Sequence, residues 1–371
     1  MRRRHFLTLA GGTGTAMALA RPGTATALPA ADGLVRHDLR VRGPGGARVF
    51  VREVLPAGAA GRVGRPLLLV HGARPGGTAA FDLPVGGGSL AAELAAAGYA
   101  VYVMDVRGFG HSDYPAEMGQ DPAAHPPLVR SAEAVVDIGT VVRLIRARRG
   151  RWPAAFGWAT GGHWLAMYAA VRPDRLTHLV LLNSLYSVAG PWPLQQELED
   201  PDRPGHPRPQ PAWRAVTADS LTARWDAGPA DEPAGTRRDP VVRHAYRVAA
   251  LRADPTSHTR TPPSFRNPTG PLVDAFHLAQ GRQFYDAGRI RARTLVLRAE
   301  LDFWSRPQDG ERLAADLTRA DAVRVRTLSG ASHFLHLERA PFGRGELLEE
   351  IRSFVPSNRS IGGGSRNTVP E

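Results

Sequence analysis

The stretch that most constrains the fold is Ala154-Ala155-Phe156-Gly157-Trp158-Ala159-Thr160-Gly161-Gly162-His163-Trp164. An apolar run fit for a buried strand meets a glycine-spaced turn, and a helical pattern follows at once. A junction of this kind belongs to a sheet whose strands are covered on both faces. The flanking chain agrees. Residues 66–70, 99–104 and 176–182 are continuous apolar runs, while 89–97, 131–149 and 162–171 are patterned as helices. Gly98 ends the first of these helices, arginines fill the last turn of the second, and Pro173-Asp174 stops the third. Ser131 reads as an N-cap, with Glu133 in the first turn. Strands alternating with helices imply a mostly parallel sheet flanked by helices. Residues 34–42 and 49–54 read as an antiparallel hairpin around Gly43-Pro44-Gly45-Gly46.

The alternation breaks between residues 184 and 291. There, 213–226 and 240–253 read as helices and 255–271 as loop. An insertion at this point reads as a cap over one edge of the sheet. Beyond it the pattern resumes, with strands at 293–298 and 323–327 and helices at 308–318 and 343–354. The organisation is therefore a core in two parts, 31–183 and 292–356, interrupted by a cap at 184–291. The polar tail 357–371 reads as disordered.

Residues 1–30 have the three parts of an export signal: Arg2-Arg3-Arg4, a modest apolar segment from Phe6, and the small-residue site Ala25-Thr26-Ala27. Arg3-Arg4 followed by Phe6-Leu7 matches a twin-arginine signal. The expectation is export with cleavage near Ala27 or Ala30, leaving no stable membrane span. The chain has no cysteine, which rules out disulfides and thiolate chemistry. Its formal net charge is +12, carried by arginine without lysine, and spread along the chain. Neither a basic run nor a nucleic-acid-binding fold signature accompanies it, so nucleic acid is not expected as a partner. No P-loop or dinucleotide fingerprint appears, and His244, His258 and His277 lack metal-ligand spacing. The expected partner is a small-molecule substrate or ligand, with no cofactor and no metal; nothing indicates an oligomeric state.

Four motifs in order along the chain carry a family resemblance. They are Leu69-Val70-His71-Gly72-Ala73, Asp105-Val106-Arg107-Gly108-Phe109-Gly110-His111-Ser112, Gly157-Trp158-Ala159-Thr160-Gly161, and the pair Asp302 and Gly330-Ala331-Ser332-His333. The chain resembles the α/β-hydrolase superfamily, in its epoxide hydrolase and haloperoxidase-like branch, over residues 34–355. The resemblance implies an α/β-hydrolase fold with a cap insertion, and makes the third motif a nucleophile elbow, G-x-S-x-G. Here the nucleophile position holds Ala159, which has no hydroxyl.

Read from their chemistry, His333 and Asp302 form a dyad in which the carboxylate orients the imidazole and leaves Nε2 as general base. The resemblance places the oxyanion hole at the backbone N–H groups of Thr160 and Ala73. The side-chain hydroxyl of Thr160 is not expected to replace the serine, because it lies one residue beyond the nucleophile position. His71, Trp158 and Trp304 are pocket candidates; Asp105 and Arg107 are expected to pin their loop, and His163 to be a bonded histidine at a helix start. The implied activity is hydrolysis of carboxylic esters, lactones or similar small apolar substrates. Three readings of Ala159 stay open at this level: direct hydrolysis by the dyad, an engineered serine-to-alanine knockout, or a ligand-binding pseudoenzyme or dyad-based lyase or isomerase.

Overall fold

The computed structural model describes residues 26–28, 33–58, 64–229, 232–233 and 235–357. The expected export signal and tail thus lie outside the described residues, apart from residues 26–28 and Ser357. The sheet is built from β1 (Thr26–Leu28), β2 (Leu34–Arg42), β3 (Arg48–Pro56), β4 (Pro66–Val70), β5 (Ala100–Asp105), β6 (Ala154–Trp158) and β7 (His178–Leu182). A two-stranded ribbon follows, β8 (Trp213–Thr217) and β9 (Ser264–Pro268), before β10 (Arg293–Leu301) and β11 (Val323–Ser332) rejoin the sheet. The helices are α1 (Gly77–Phe81), α2 (Leu90–Ala96), α3 (Ser131–Arg149), α4 (Thr160–Val171), α5 (Gln195–Leu198), α6 (Ala218–Ala227), α7 (Pro240–Ala253), α8 (Gly270–Ala279), α9 (Pro307–Asp316) and α10 (Arg344–Phe354).

The strand order is β1-β2-β3-β5-β4-β6-β7-β10-β11. From β5 to β11 every pairing is parallel, and β1 to β3 add an antiparallel edge. The expected strands at the centre are fully buried along β4, β5, β6 and β7. Two apolar clusters cover the two faces, one with Phe81, Leu94 and Ile351, the other with Ile138, Leu165 and Leu313. A parallel sheet so covered offers ligands only the edge at its strands' carboxyl ends, where the strand order reverses. Here that reversal lies around β4, flanked by β5 and β6.

Three local expectations are corrected. Ser131 is the first residue of α3, not its cap; Arg130 takes the cap position, and the Ser131 hydroxyl donates to Asp274 at 2.7 Å. Residues 213–217 form β8, and α6 starts only after Thr217, whose hydroxyl accepts from the Ser220 N–H at 3.1 Å. The stretch expected as loop at 255–271 contains β9, antiparallel to β8. In both β8 and β9 a distant strand, not local periodicity, sets the structure. Among the described residues, no helix is long and apolar enough to cross a membrane.

Candidate active site

β6 ends at Trp158 and α4 begins at Thr160, so the turn between them is the single residue Ala159. Its backbone adopts φ 52° and ψ −118°, a strained conformation costing about 1–3 kcal/mol. The surroundings enforce it. The Ala159 N–H donates to the Leu182 carbonyl at 2.8 Å. A β-carbon on Gly157 would fall 2.6 Å from the Gly161 carbonyl group, and one on Gly161 would fall 2.4 Å from the carbonyl oxygens of His71 and Val70. Both glycines are therefore required by close backbone approach.

Asp302 follows β10 and His333 follows β11 directly, closer to the strand than the sequence suggested. The His333 Nδ1 lies 2.6 Å from Asp302 Oδ1. The carboxylate also accepts from the N–H groups of Trp304 at 3.1 Å and Ser305 at 2.7 Å, and from the Ser305 hydroxyl. These donors fix the acid on its own loop, and the acid in turn fixes the imidazole.

Sequence reasoning missed Asn183. It is fully buried just past β7, with φ 52°. Its Nδ2 donates to the His333 carbonyl at 3.4 Å, and its Oδ1 accepts from the Ala299 N–H at 2.7 Å. The side chain thus ties β10 to the histidine loop. Trp158 adds a second hold, donating from Nε1 to the same His333 carbonyl at 3.0 Å. The only available signal was a polar residue set directly after an apolar parallel strand, where site residues gather.

The turn after β4 packs on the elbow: a β-carbon on Gly72 would stand 3.5 Å from the Ala159 Cβ. Ala73 and Thr160 line the same cavity, and neither amide donates to another described residue. Asn267, on β9, donates to the Ala73 carbonyl at 3.0 Å, so the cap steadies this turn.

A model of the family described as serine aminopeptidase, S33, matches residues 88–340, more than half of the chain. The chain belongs to this α/β-hydrolase family. The matched segment contains Ala159, Asp302 and His333, and begins after His71-Gly72. No curated protein matched the chain by sequence. Among solved structures, a bacterial membrane phospholipase A described as a virulence factor is 18% identical, with a TM-score of 0.54 and 86% of each chain covered. A meta-cleavage product hydrolase from Pseudomonas fluorescens, solved as a serine-to-alanine mutant complexed with acetates, is 15% identical; the TM-score is 0.53, and 84% of this chain and 94% of that one are covered. A thermophilic esterase from Thermogutta terrifontis, malate-bound, is 18% identical, with a TM-score of 0.51, covering 85% of this chain and 97% of that one. These likenesses show the α/β-hydrolase fold.

In this member of the family, Ala73, Trp158, Ala159, Thr160, Trp304 and His333 all line one cavity of about 90 Å³, with Asp302 behind His333. His71 does not line it. The ring is fully buried, its Nδ1 bonded to the Gly72 carbonyl at 2.6 Å while its Nε2 accepts from the Val106 N–H at 3.0 Å. Burial pushes its pKa down, so the neutral ring serves as a brace for the turn before Ala73. That corrects its reading as a pocket residue.

Asp105 and Arg107 act as braces too. Asp105 accepts from the N–H groups of Gly77 and His111, and Arg107 forks onto Asp137 at 2.6 and 2.9 Å. His163 faces Ser131 at 3.2 Å through Nε2, leaving Nδ1 unbonded among the described residues. Composition gave no hint of the cavity's charge. Arg74, Arg214 and Arg224 line it, with Glu197 as the one carboxylate.

Proposed function

We propose that this protein hydrolyses small carboxylic esters or lactones by direct attack of a water molecule that His333 activates. The observation that carries the reading is the 2.6 Å bond between His333 Nδ1 and Asp302 Oδ1, with His333 and Ala159 lining one cavity. With Nδ1 held by the acid, Nε2 is left to take a proton. A serine at 159 would present a hydroxyl to this cavity; a water oxygen has about the size of that hydroxyl. His333 withdraws a proton as the water oxygen bonds to the carbonyl carbon. The carbonyl oxygen becomes an oxyanion, met by the amides of Ala73 and Thr160 and by the N-terminal dipole of α4. On collapse the C–O bond breaks, His333 returns the proton to the leaving oxygen, and acid and alcohol depart. No acyl-enzyme forms, since a methyl group offers no lone pair.

A cavity of about 90 Å³ suits a short acyl group. Its walls combine Leu221, Leu272 and Phe334 with the arginines, so the substrate is small but not wholly apolar. Steady-state hydrolysis of short-chain activated esters, parent against His333→Ala, tests this reading. Turnover by the parent that the variant loses supports it; equal turnover by the two chains contradicts it.

One observation favours a second reading. Alanine gains nothing from φ 52° and ψ −118°, a geometry suited to presenting a side-chain nucleophile. The site then descends, by mutation or by engineering, from a serine hydrolase and now holds ligands without turning them over. Export through a twin-arginine signal completes the proposal and rests on Arg3-Arg4-His5-Phe6-Leu7 alone.

A further inference from the structure

The arginines of this fold are, as a rule, matched by carboxylates wherever they are buried. Arg306 pairs with Asp309 at 2.9 Å, Arg344 with Glu93 at 3.0 Å, and Arg266 with Asp254 at 2.9 Å. The cavity departs from this rule with two half-buried arginines, Arg74 and Arg214. Arg74, one residue past the Ala73 amide, finds only the Ser220 carbonyl, at 2.8 Å. Arg214, on β8 of the cap, has a buried Nε without a partner among the described residues. Neither makes an ion pair with a described residue. Glu197 offsets them only in part: it favours the charge on both, but its ion pair is with Arg224 at the exposed rim. Three guanidiniums and one carboxylate leave the cavity two positive charges in excess.

A cation drawn partly out of water without a counter-charge is costly to keep. Burial, and then the charge of Arg74, push Arg214 down to about 10, and burial lowers Arg74 as well. Two such groups converging beside the oxyanion turn, one from the core and one from the cap, are the pattern of a charged subsite awaiting its partner. The guanidinium fork matches a carboxylate in shape and charge.

We propose that Arg74 and Arg214 form a subsite for a carboxylate carried by the substrate, so that the preferred substrate is a small ester or lactone bearing a second, ionised acid group. The proposal rests on the hydrolase reading for the word substrate, and on the cavity alone for the anion. The bound carboxylate bridges core and cap, since Arg74 follows the turn that carries the Ala73 amide and Arg214 lies on β8.

The test uses the full chain and three variants, Arg214→Gln, Arg74→Gln and Arg214→Lys. Binding of succinate, monomethyl succinate and dimethyl succinate is followed by calorimetry, and hydrolysis of the two esters is measured in parallel. Succinate and the monoester should bind the parent, and each glutamine variant should weaken them by roughly tenfold or more, as expected for hydrogen bonds to a charged group. Arg214→Lys should recover part of the loss. The ratio of monoester to diester turnover should fall in both glutamine variants. Thermal melts should show Arg214→Gln no less stable than the parent, since an unpaired charge is removed; a large destabilisation would contradict the unpaired state. Succinate binding that both glutamine variants keep overturns the subsite, even if esters are hydrolysed. Succinate binding that they lose, in a chain that hydrolyses neither ester, upholds the subsite and counts against the hydrolase reading alone.

Discussion

Asn183 and His333 are joined by a hydrogen bond from a fully buried amide to a main-chain carbonyl, at 3.4 Å. Through its Oδ1 the same amide holds Ala299, so one side chain aligns the strand that presents Asp302 with the loop that presents His333. Asn183→Ala should remove both contacts and leave the buried Ala299 N–H unpaired, while the His333 carbonyl keeps its bond from Trp158. We expect a loss of about 1–3 kcal/mol in stability and a fall in kcat larger than any change in KM. Thermal melts and steady-state kinetics check it; a fully active, fully stable variant would deny Asn183 this role.

Asp302→Asn keeps the shape of the acid but no longer orients the imidazole with a negative charge. Activity should fall roughly 10²–10⁴-fold, with some loss in melting temperature, because the amide NH2 is set against donors that the carboxylate accepts. Comparable turnover by the variant would remove Asp302 from the dyad.

Gly161→Ala tests the close approach between the elbow helix and β4. Its β-carbon would lie 2.4 Å from two carbonyl oxygens, of His71 and Val70. Backbone must move, so a destabilisation of about 1–3 kcal/mol or more is expected, together with a displaced Thr160 amide and lost turnover. A melting temperature equal to the parent's would contradict the packing described.

His163 links stability to pH. Burial is the main cause that pushes its pKa down to about 4, with Asp274 opposing. In the unfolded chain the ring titrates near its ordinary value of about 6.5. As pH falls from about 6.5 to about 4, the unfolded chain takes up a proton that the folded ring refuses. Stability is therefore full above this window, declines through it by roughly 3 kcal/mol for this group, and levels below it. The melting temperature of His163→Phe should vary less than the parent's between pH 7 and pH 4, and an equal dependence would contradict the buried neutral ring.

The parts of the fold that were legible were those whose pattern is local. β4 and β6 are continuous apolar runs because both faces of a parallel strand are covered, and α3 runs over the residues its pattern marks, 131–149. The dyad and the elbow were legible because each sits at a strand end with its own short motif. What failed was set by distant contacts. Ser131 is turned away from capping by Asp274, and β8 exists only because β9 lies beside it. His71 carries the same letters whether it faces a ligand or braces a turn; only its two buried bonds decide. Arg74 and Arg214 were invisible for a simpler reason. In a chain whose basic side is all arginine, which of them lack a carboxylate is a property of packing alone.

If the elbow, dyad and amide pair form a hydrolytic site that lacks one hydroxyl, restoring that hydroxyl should restore a reactive serine. Reaction of parent and Ala159→Ser with a serine-reactive fluorophosphonate, read by intact mass, tests it most directly. One adduct per chain is expected in the variant, on residue 159, with none in the parent and loss of the adduct when His333→Ala is added. A folded Ala159→Ser variant that stays unlabelled would contradict it.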